Sequence, residues 1–293
     1  MAMVQKAGQE PPKIGLTTRD IEIFEAILAY DGMLGMRQIQ RLFFSSYYQT
    51  RIRLAKLYQN GYLDRPDRSE RQGYHQMPHW LGKRGAEVLA GRQDIPFTEF
   101  KWRKRPRPKM IPHDLQLNDF RLDFEEACRQ HPAVELEEAV PGSEFWTHPE
   151  QISYTDVNGK RRQRQVRPDG LYIVRHWVAA EGQWYRFPLF IEIDMGGMPH
   201  ARYVNDRVLA GVAYLKSTVY RKRFGFKWGS WLWVTTSEER ALNMKRYAEA
   251  AAGGEAQVFY YTWFDQVRPE TILVAPIWYR GGEGEARALF PLT

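Results

Sequence analysis

Apolar residues recur at helical spacing through TTRDIEIFEAILAY, residues 17–30, where Ile21, Phe24, Ile27 and Leu28 share one face. Thr17 or Thr18 is placed to cap this helix, Asp20 and Glu22 sit in its favourable first turn, and Asp31-Gly32 ends it. A short second helix is predicted over about 36–43, with Ile39, Leu42 and Phe43 apolar. Ser45 or Ser46 then caps a third, YYQTRIRLAKLYQN, whose buried side is expected from Ile52, Leu54, Ala55, Leu57 and Tyr58, with Gly61 as its stop. Tyr62–Asp64 and Tyr74–Leu81 read as short strands around the polar tip RPDRSERQG, and a helix over about 83–90 closes the segment.

Residues 92–112 break the pattern. Four prolines exclude a regular helix, and KWRKRPRPK holds six cations and no anion. From 113 the pattern restarts with an amphipathic helix, HDLQLNDFRLDFEEACRQ, then a strand near 133–140. A hairpin is predicted over 151–174 with its turn at Asn158-Gly159. FPLFIEIDM, residues 187–195, is nearly continuously apolar, as suits the buried centre of a sheet. A helix over 200–220, a strand GSWLWVTT, a Ser- or Thr-capped helix SEERALNMKRYAEAAAG and strands AQVFYYTW and TILVAPIWY complete the chain. This order predicts an α+β protein. A winged helix-turn-helix occupies 16–91, a basic Pro-rich linker 92–112, and a mixed sheet flanked by helices 113–293.

Three helices followed by a hairpin predict that helix three enters the major groove of double-stranded DNA. Its polar face offers Gln49, Thr50, Arg51, Arg53 and Lys56. Arg65, Arg68 and Arg71 on the wing are placed for phosphates or the minor groove. The linker cations Lys101, Arg103, Lys104, Arg105, Arg107 and Lys109 read as a phosphate-backbone contact, the alternative being a plain solvated linker. Charge supports a polyanion partner for the first part. Residues 1–112 carry 20 Lys+Arg against 11 Asp+Glu, a net of +9, whereas 113–293 carry 22 against 24, a net of −2. A helical core module with solvated Arg and Lys, or a winged helix used for protein contacts, is the competing reading.

No run approaches the ~20 apolar residues of a membrane helix, and the first residues lack the apolar core of a signal peptide. Cys128 is the only cysteine, so neither an internal disulfide nor a cysteine-based zinc site is expected. A cytoplasmic, nucleoid- or plasmid-associated protein is the expectation.

Two acidic clusters stand at strand ends: Asp169 in Arg167-Pro168-Asp169-Gly170, and Glu192 with Asp194 in Ile191-Glu192-Ile193-Asp194. Glu192 and Asp194 face the same side, since side chains alternate along a strand. If the two strands are antiparallel neighbours, Asp169 joins them. Three carboxylates on one rim repel unless a cation sits among them, so Asp169, Glu192 and Asp194 are candidate ligands for Mg or Mn. Such an ion would activate water against a phosphodiester. Turn chemistry at Asp169-Gly170, and pairing of Glu192 and Asp194 with nearby Arg, is the alternative.

The segments LTTRDIEIFEAILAYDGMLGMRQIQRLFF, RIRLAKLYQNGYLDR, HDLQLND, RPDG and FIEIDMG, over roughly residues 16–220, resemble the replication-relaxation family of bacterial plasmids and mobile elements. The resemblance implies a winged helix-turn-helix followed by a domain similar to the PD-(D/E)xK restriction-endonuclease-like fold, and a role in element maintenance. It implies that Pro168-Asp169 is the PD half and Glu192 the acid of the ExK half, with Glu125 or Glu126 as an extra acid. The position of the expected Lys holds Asp194. A cation supplied from the next helix would be Arg207, with Tyr214 two turns on along the same face, whereas Lys216 points elsewhere. Arg is a poor proton-handling substitute for Lys but can hold a phosphate. Asp169, Glu192, Asp194 and Arg207 are thus the candidate catalytic set of a metal-dependent DNA endonuclease or nickase. The alternative is a non-enzymatic DNA-binding regulator or replication accessory factor with a degenerate nuclease-like domain.

Overall fold

The helix expected over 17–30 spans Thr18–Ala29 (α1) in the computed structural model, which describes residues 14–67, 69 and 73–291. Its start is a capping box: the Asp20 N–H donates to the Thr17 hydroxyl, while the Thr17 N–H donates to Asp20 Oδ2 at 2.7 Å. Its end needs Gly32. The φ there is +86°, and a Cβ would lie 2.6 Å from Cβ of Arg103. The chain divides into two compact units, 1–118 and 119–293, with the boundary inside a long helix.

The first unit continues with β1 (Leu34–Gly35), α2 (Met36–Phe43), α3 (Tyr47–Gln59), β2 (Leu63–Asp64), β3 (Pro78–Leu81) and α4 (Lys83–Arg92). The strands form an antiparallel sheet in the order β1-β3-β2, with Leu34 opposite His79 and Leu63 opposite Leu81. Ile23, Phe24, Ile27, Ile39, Leu54, Leu57 and Leu89 are buried and form the core. Two expectations change. β1 is too short to leave an alternating signal. The strand expected from Tyr74 begins only at Pro78, and just before it the Gln76 side chain accepts from the Arg37 N–H at 3.0 Å.

The proline-rich stretch is not a detached linker. Phe100 is buried, and Arg103 pairs with Asp114 at 2.7 Å and donates to the Asp31 carbonyl at 3.3 Å. A single 3₁₀ turn, Pro108–Met110, leads into α5 (Ile111–Gln130), which begins two residues earlier than expected. Pro108 and Pro112 fall at helix starts, where a missing N–H costs nothing.

The second unit comprises the rest of α5, then β4 (Val134–Pro141), α6 (Gly142–Thr147), β5 (Glu150–Thr155), β6 (Arg161–Val166), β7 (Gly170–Val178) and β8 (Gln183–Ile193). After them come α7 (His200–Tyr203), a π turn over Val204–Leu209, α8 (Ala210–Lys216), α9 (Thr218–Phe224), β9 (Ser230–Thr235) and α10 (Glu238–Ala252). β10 (Phe259–Trp263), β11 (Trp278–Arg280) and β12 (Ala286–Arg287) follow. Seven strands form a mixed sheet in the order β12-β11-β10-β9-β8-β7-β4, parallel at β8–β9 and β9–β10 and antiparallel elsewhere. The protein is therefore α+β with a mixed sheet.

On one face of the sheet Leu171, Ile173, Phe190, Trp231, Trp233, Phe259 and Tyr261 pack with Tyr203, Val208, Tyr214 and Met244 of the later helices. On the other, Tyr172 meets Phe124 of α5, ring centroids 4.8 Å apart. The hairpin expected over 151–174 resolves into a separate two-stranded ribbon, β5–β6, and a strand of the main sheet, β7. The helix expected over 200–220 is broken. The π turn interrupts it, and Ser217 starts a new helix by accepting from the Tyr220 N–H at 3.1 Å. TILVAPIWY is strand only from Trp278. Ile272 and Leu273 are buried without entering the sheet, and the Trp278 indole donates to the Ile272 carbonyl at 2.8 Å.

Asp20 has a second task. It is almost inaccessible, and Arg53 of α3 donates to it from Nε at 2.7 Å and again from Nη2. Burial alone would raise its carboxyl, but the bonds from Arg53 and Thr17 hold it below its ordinary value. Its stabilising contribution is therefore complete above the unfolded-state value of about 4 and lost as pH falls through the lower folded value. Asp20→Asn is expected to cost about 1–3 kcal/mol at neutral pH, read from urea midpoints, and the difference from the parent should shrink in acid. An equal difference at every pH would contradict this assignment.

Candidate functional site

The third helix presents a face different from the one its sequence suggests. Leu54, Leu57 and also Thr50 are buried, and the Thr50 hydroxyl donates back to the Ser46 carbonyl at 2.9 Å. Arg53 is tied to Asp20 and to the Gly15 carbonyl. Thr50 and Arg53 thus leave the set of groups offered to a ligand, since one faces inward and the other is held by a buried carboxylate. Ile52, expected inside, is 37 % exposed. The outward face carries Tyr47, Tyr48, Gln49, Arg51, Ile52 and Lys56, with the Arg51 guanidinium 5.7 Å from the Tyr48 ring centre. A hollow of about 610 Å³ runs beside it, lined by Arg19, Phe44, Tyr48, Gln49, Ile52 and Lys56 among others.

Arg65 lies over the Tyr58 ring at 4.2 Å, while Arg68 and Arg71 lie outside the described residues. Of the stretch 101–109, Arg103 is structural. Lys101, Lys104, Arg105, Arg107 and Lys109 are exposed.

In the second unit the two strands carrying the acids are antiparallel neighbours, with Gly170 opposite Ile191. Asp169 straddles the peptide of Glu192: its N–H donates to the Ile191 carbonyl at 3.0 Å, and its Oδ2 accepts from the Ile193 N–H at 2.8 Å. Gly142, at the start of α6, seats this turn, since a Cβ there would lie 2.7 Å from the Asp169 carbonyl oxygen. Glu192 is buried and accepts from Arg207 Nη1 at 2.9 Å, and the same nitrogen donates to the Arg167 carbonyl at 3.1 Å. The Glu192 carboxylate raises the Arg207 guanidinium above its ordinary value, against the lowering effect of burial. Asp169, Glu192 and Arg207 are therefore brought together.

Asp194 is also buried, just past the end of β8, but it has its own partners. Arg240 of α10 donates to it from Nε and, at 3.0 Å, from Nη2, and the Thr235 hydroxyl donates at 2.6 Å. Glu192 and Asp194 are thus each neutralised by a separate arginine. Among the described residues no group of three His, Cys, Asp or Glu is placed to hold a metal ion. The arrangement present does not fit a three-carboxylate Mg or Mn site.

The remaining candidates are dispersed. Tyr214 donates its hydroxyl to Glu150, not to the acids, because the π turn shifts the register between it and Arg207. Lys216 pairs with Glu255 at 2.9 Å. Glu126 accepts from Gln130, and α5 meets the sheet face opposite the one to which Glu192 points. Sequence reasoning missed Arg240. It lies 46 residues from its partner, and no local pattern ties a helix's first turn to a distant strand end.

These features define an α+β protein with a helical, small-sheet unit at its N-terminus and a seven-stranded mixed-sheet unit after it. Residues 26–210, more than half of the chain, match the replication-relaxation family, and the chain belongs to that family. Membership implies a role in plasmid or mobile-element replication or relaxation. No curated protein and no solved structure shows a significant match. No helix among the described residues is long and apolar enough to cross a membrane.

Breaking the Glu192–Arg207 pair from one side leaves a mostly buried charge alone. Glu192→Leu is expected to cost about 3–5 kcal/mol, with Glu192→Leu/Arg207→Met recovering much of it. Urea unfolding of the four proteins of this double-mutant cycle checks the coupling. Additive losses would mean that the two side chains act independently.

Proposed function

We propose that this protein binds duplex DNA through a winged helix-turn-helix in its first unit and serves plasmid or mobile-element replication or relaxation as a non-enzymatic factor. The observation that carries this reading is the outward face of α3, where Gln49, Arg51 and Lys56 stand exposed while Arg53 ties the helix to Asp20 of α1 and Thr50 is buried beneath it. A seated helix with exposed polar and cationic side chains fits a major groove whose width admits one helix. The order of α1, α2 and α3, then β2 and β3 with their polar connection, supports the winged form. Arg65, after β2, would follow the backbone, and the exposed cations among Lys101–Lys109 would add phosphate contacts.

For the second unit we read a degenerate nuclease-like domain. Glu192 and Asp194, the acids a hydrolytic metal would need, are each held by an arginine. A metal-dependent endonuclease or nickase is the second reading. The adjacency of Asp169 to Glu192 favours it, and Arg207 would have to leave Glu192 for it to operate.

Arg51→Ala and Lys56→Ala should each weaken duplex binding without lowering thermal stability. A lost base contact is worth about 1–3 kcal/mol, and a lost phosphate contact shows as a shallower salt dependence. Arg53→Ala should instead destabilise the fold. Fluorescence anisotropy with a labelled duplex, alongside thermal melts, separates the cases; parental binding by both α3 variants would remove that helix from the interface.

The enzymatic alternative is checked by incubating supercoiled plasmid with the protein and Mn²⁺ or Mg²⁺. The topology is expected to stay unchanged. Cutting that disappears in Asp169→Asn would reverse the order of the two readings.

A further inference from the structure

The ribbon β5–β6 has two unlike faces. Inward, Ile152, Tyr154 and Val166 enter the core of the second unit, which gives a two-stranded ribbon the support it lacks alone. Arg162 and Arg164 share that side of the strand and are spoken for, pairing with Asp156 at 2.8 Å and Asp206 at 2.7 Å. Outward, the register sets Gln151 opposite Gln165, Ser153 opposite Gln163 and Thr155 opposite Arg161, and all six are exposed. This outer face holds no carboxylate and no apolar side chain.

The ribbon's two acids are turned away from that face. Glu150 accepts from the buried Tyr214 hydroxyl. Asp156 is buried in the turn, accepting from the N–H groups of Asn158 and Lys160 at 2.9 Å each. Residues 150–167 carry five cations against these two carboxylates, although the second half of the chain is net negative. Ordinary solvent-facing surfaces mix both signs.

We propose that β5–β6 is a second DNA-reading element, a β-ribbon that enters the major groove of duplex DNA with its outer face toward the base edges. The groove, about 12 Å wide, admits a two-stranded ribbon. Strands about 4.8 Å apart and about 20 Å long match it in width and cover several base pairs. Each outward side chain has a base-edge partner: Gln151, Gln163 and Gln165 match adenine N6 and N7, Arg161 matches guanine O6 and N7, and Ser153 and Thr155 serve either. Lys160 at the tip is exposed and placed for a phosphate, whereas Arg167 at the ribbon's base lies over the Trp146 ring at 4.2 Å and donates to the Gln165 amide oxygen, which orients that amide. The Gln151–Gln163 hydrogen bond at 2.8 Å keeps the amides ordered until bases replace it. This site is additional to α3 and shares with the reading above only that the ligand is duplex DNA.

The test is selection from a randomised-sequence duplex library with the full chain, repeated with Arg161→Ala/Gln163→Ala/Gln165→Ala and with Gln163→Glu. The parent is expected to enrich two blocks of preferred bases. The triple variant should lose one block and bind the enriched duplex about ten-fold or more weakly, with random-duplex binding largely kept. Gln163→Glu preserves size and fold, sets a negative charge against the groove, and should lose the same block; it decides the matter if the triple variant melts early. Arg51→Ala should lose the other block. A ribbon variant that selects the parental sequence with parental affinity overturns the proposal, as does a parent that enriches a single block erased by Arg51→Ala, or none at all. Loss of a block in the ribbon variants with Arg51→Ala unaffected would keep the ribbon and remove α3.

Discussion

The second unit depends on the pairing of β7 with β8. Nine residue pairs, from Gly170–Ile191 to Val178–Gln183, hold the strands antiparallel. Period-two alternation then dictates everything beside them. Phe190 and Glu192 face the later helices, Leu189 and Ile191 face the side of α5, and the start of β7 lies against the end of β8. Parallel addition of β9 and β10 extends the same face with Trp231, Trp233, Phe259 and Tyr261. A slip of one residue would bring Glu192 to the opposite face and leave Arg207 without its carboxylate.

That register puts charge into an apolar sheet, and the helices supply the compensation. Arg207 comes from the π turn and Arg240 from the first turn of α10, so each buried acid has a cation from a different element. Desolvating such pairs consumes most of their mutual attraction, so they add little net stability while making any other register costly. A carboxylate pair that resembles a metal site in sequence can therefore serve as a registration device. The π turn belongs to the same arrangement, because its widened winding carries Arg207 toward Glu192 and leaves Tyr214 to Glu150.

Surface charge has a similar lesson. A net of −2 over residues 113–293 conceals a ribbon whose acids are turned inward and whose outer row is wholly polar or cationic. In the first unit the basic excess is partly structural, since Arg53 and Arg103 each hold two segments together. On the proposed reading, α3 and the ribbon each meet DNA with side chains that the fold leaves exposed.

The sequence alone determined the long elements, because their signals are local. The capped helices α1 and α10, the amphipathic α5 and the apolar strand β8 follow from spacing, caps and hydrophobicity within one window, whereas the meeting of Asp169 with Glu192 was expected only on condition that their strands pair antiparallel, which the structure supplies. The family was also legible, from an ordered set of motifs. Only the tertiary structure decided which side chains were already engaged. Thr50 turned inward, Ile52 outward, Arg53 to Asp20, Asp194 to Arg240 and the outer row of β5–β6 to solvent. The pairings of Arg53 and Asp194 are set by partners 33 and 46 residues away, and the free energy of pairing or burying a side chain depends on such a distant neighbour, on which its own sequence window carries no signal.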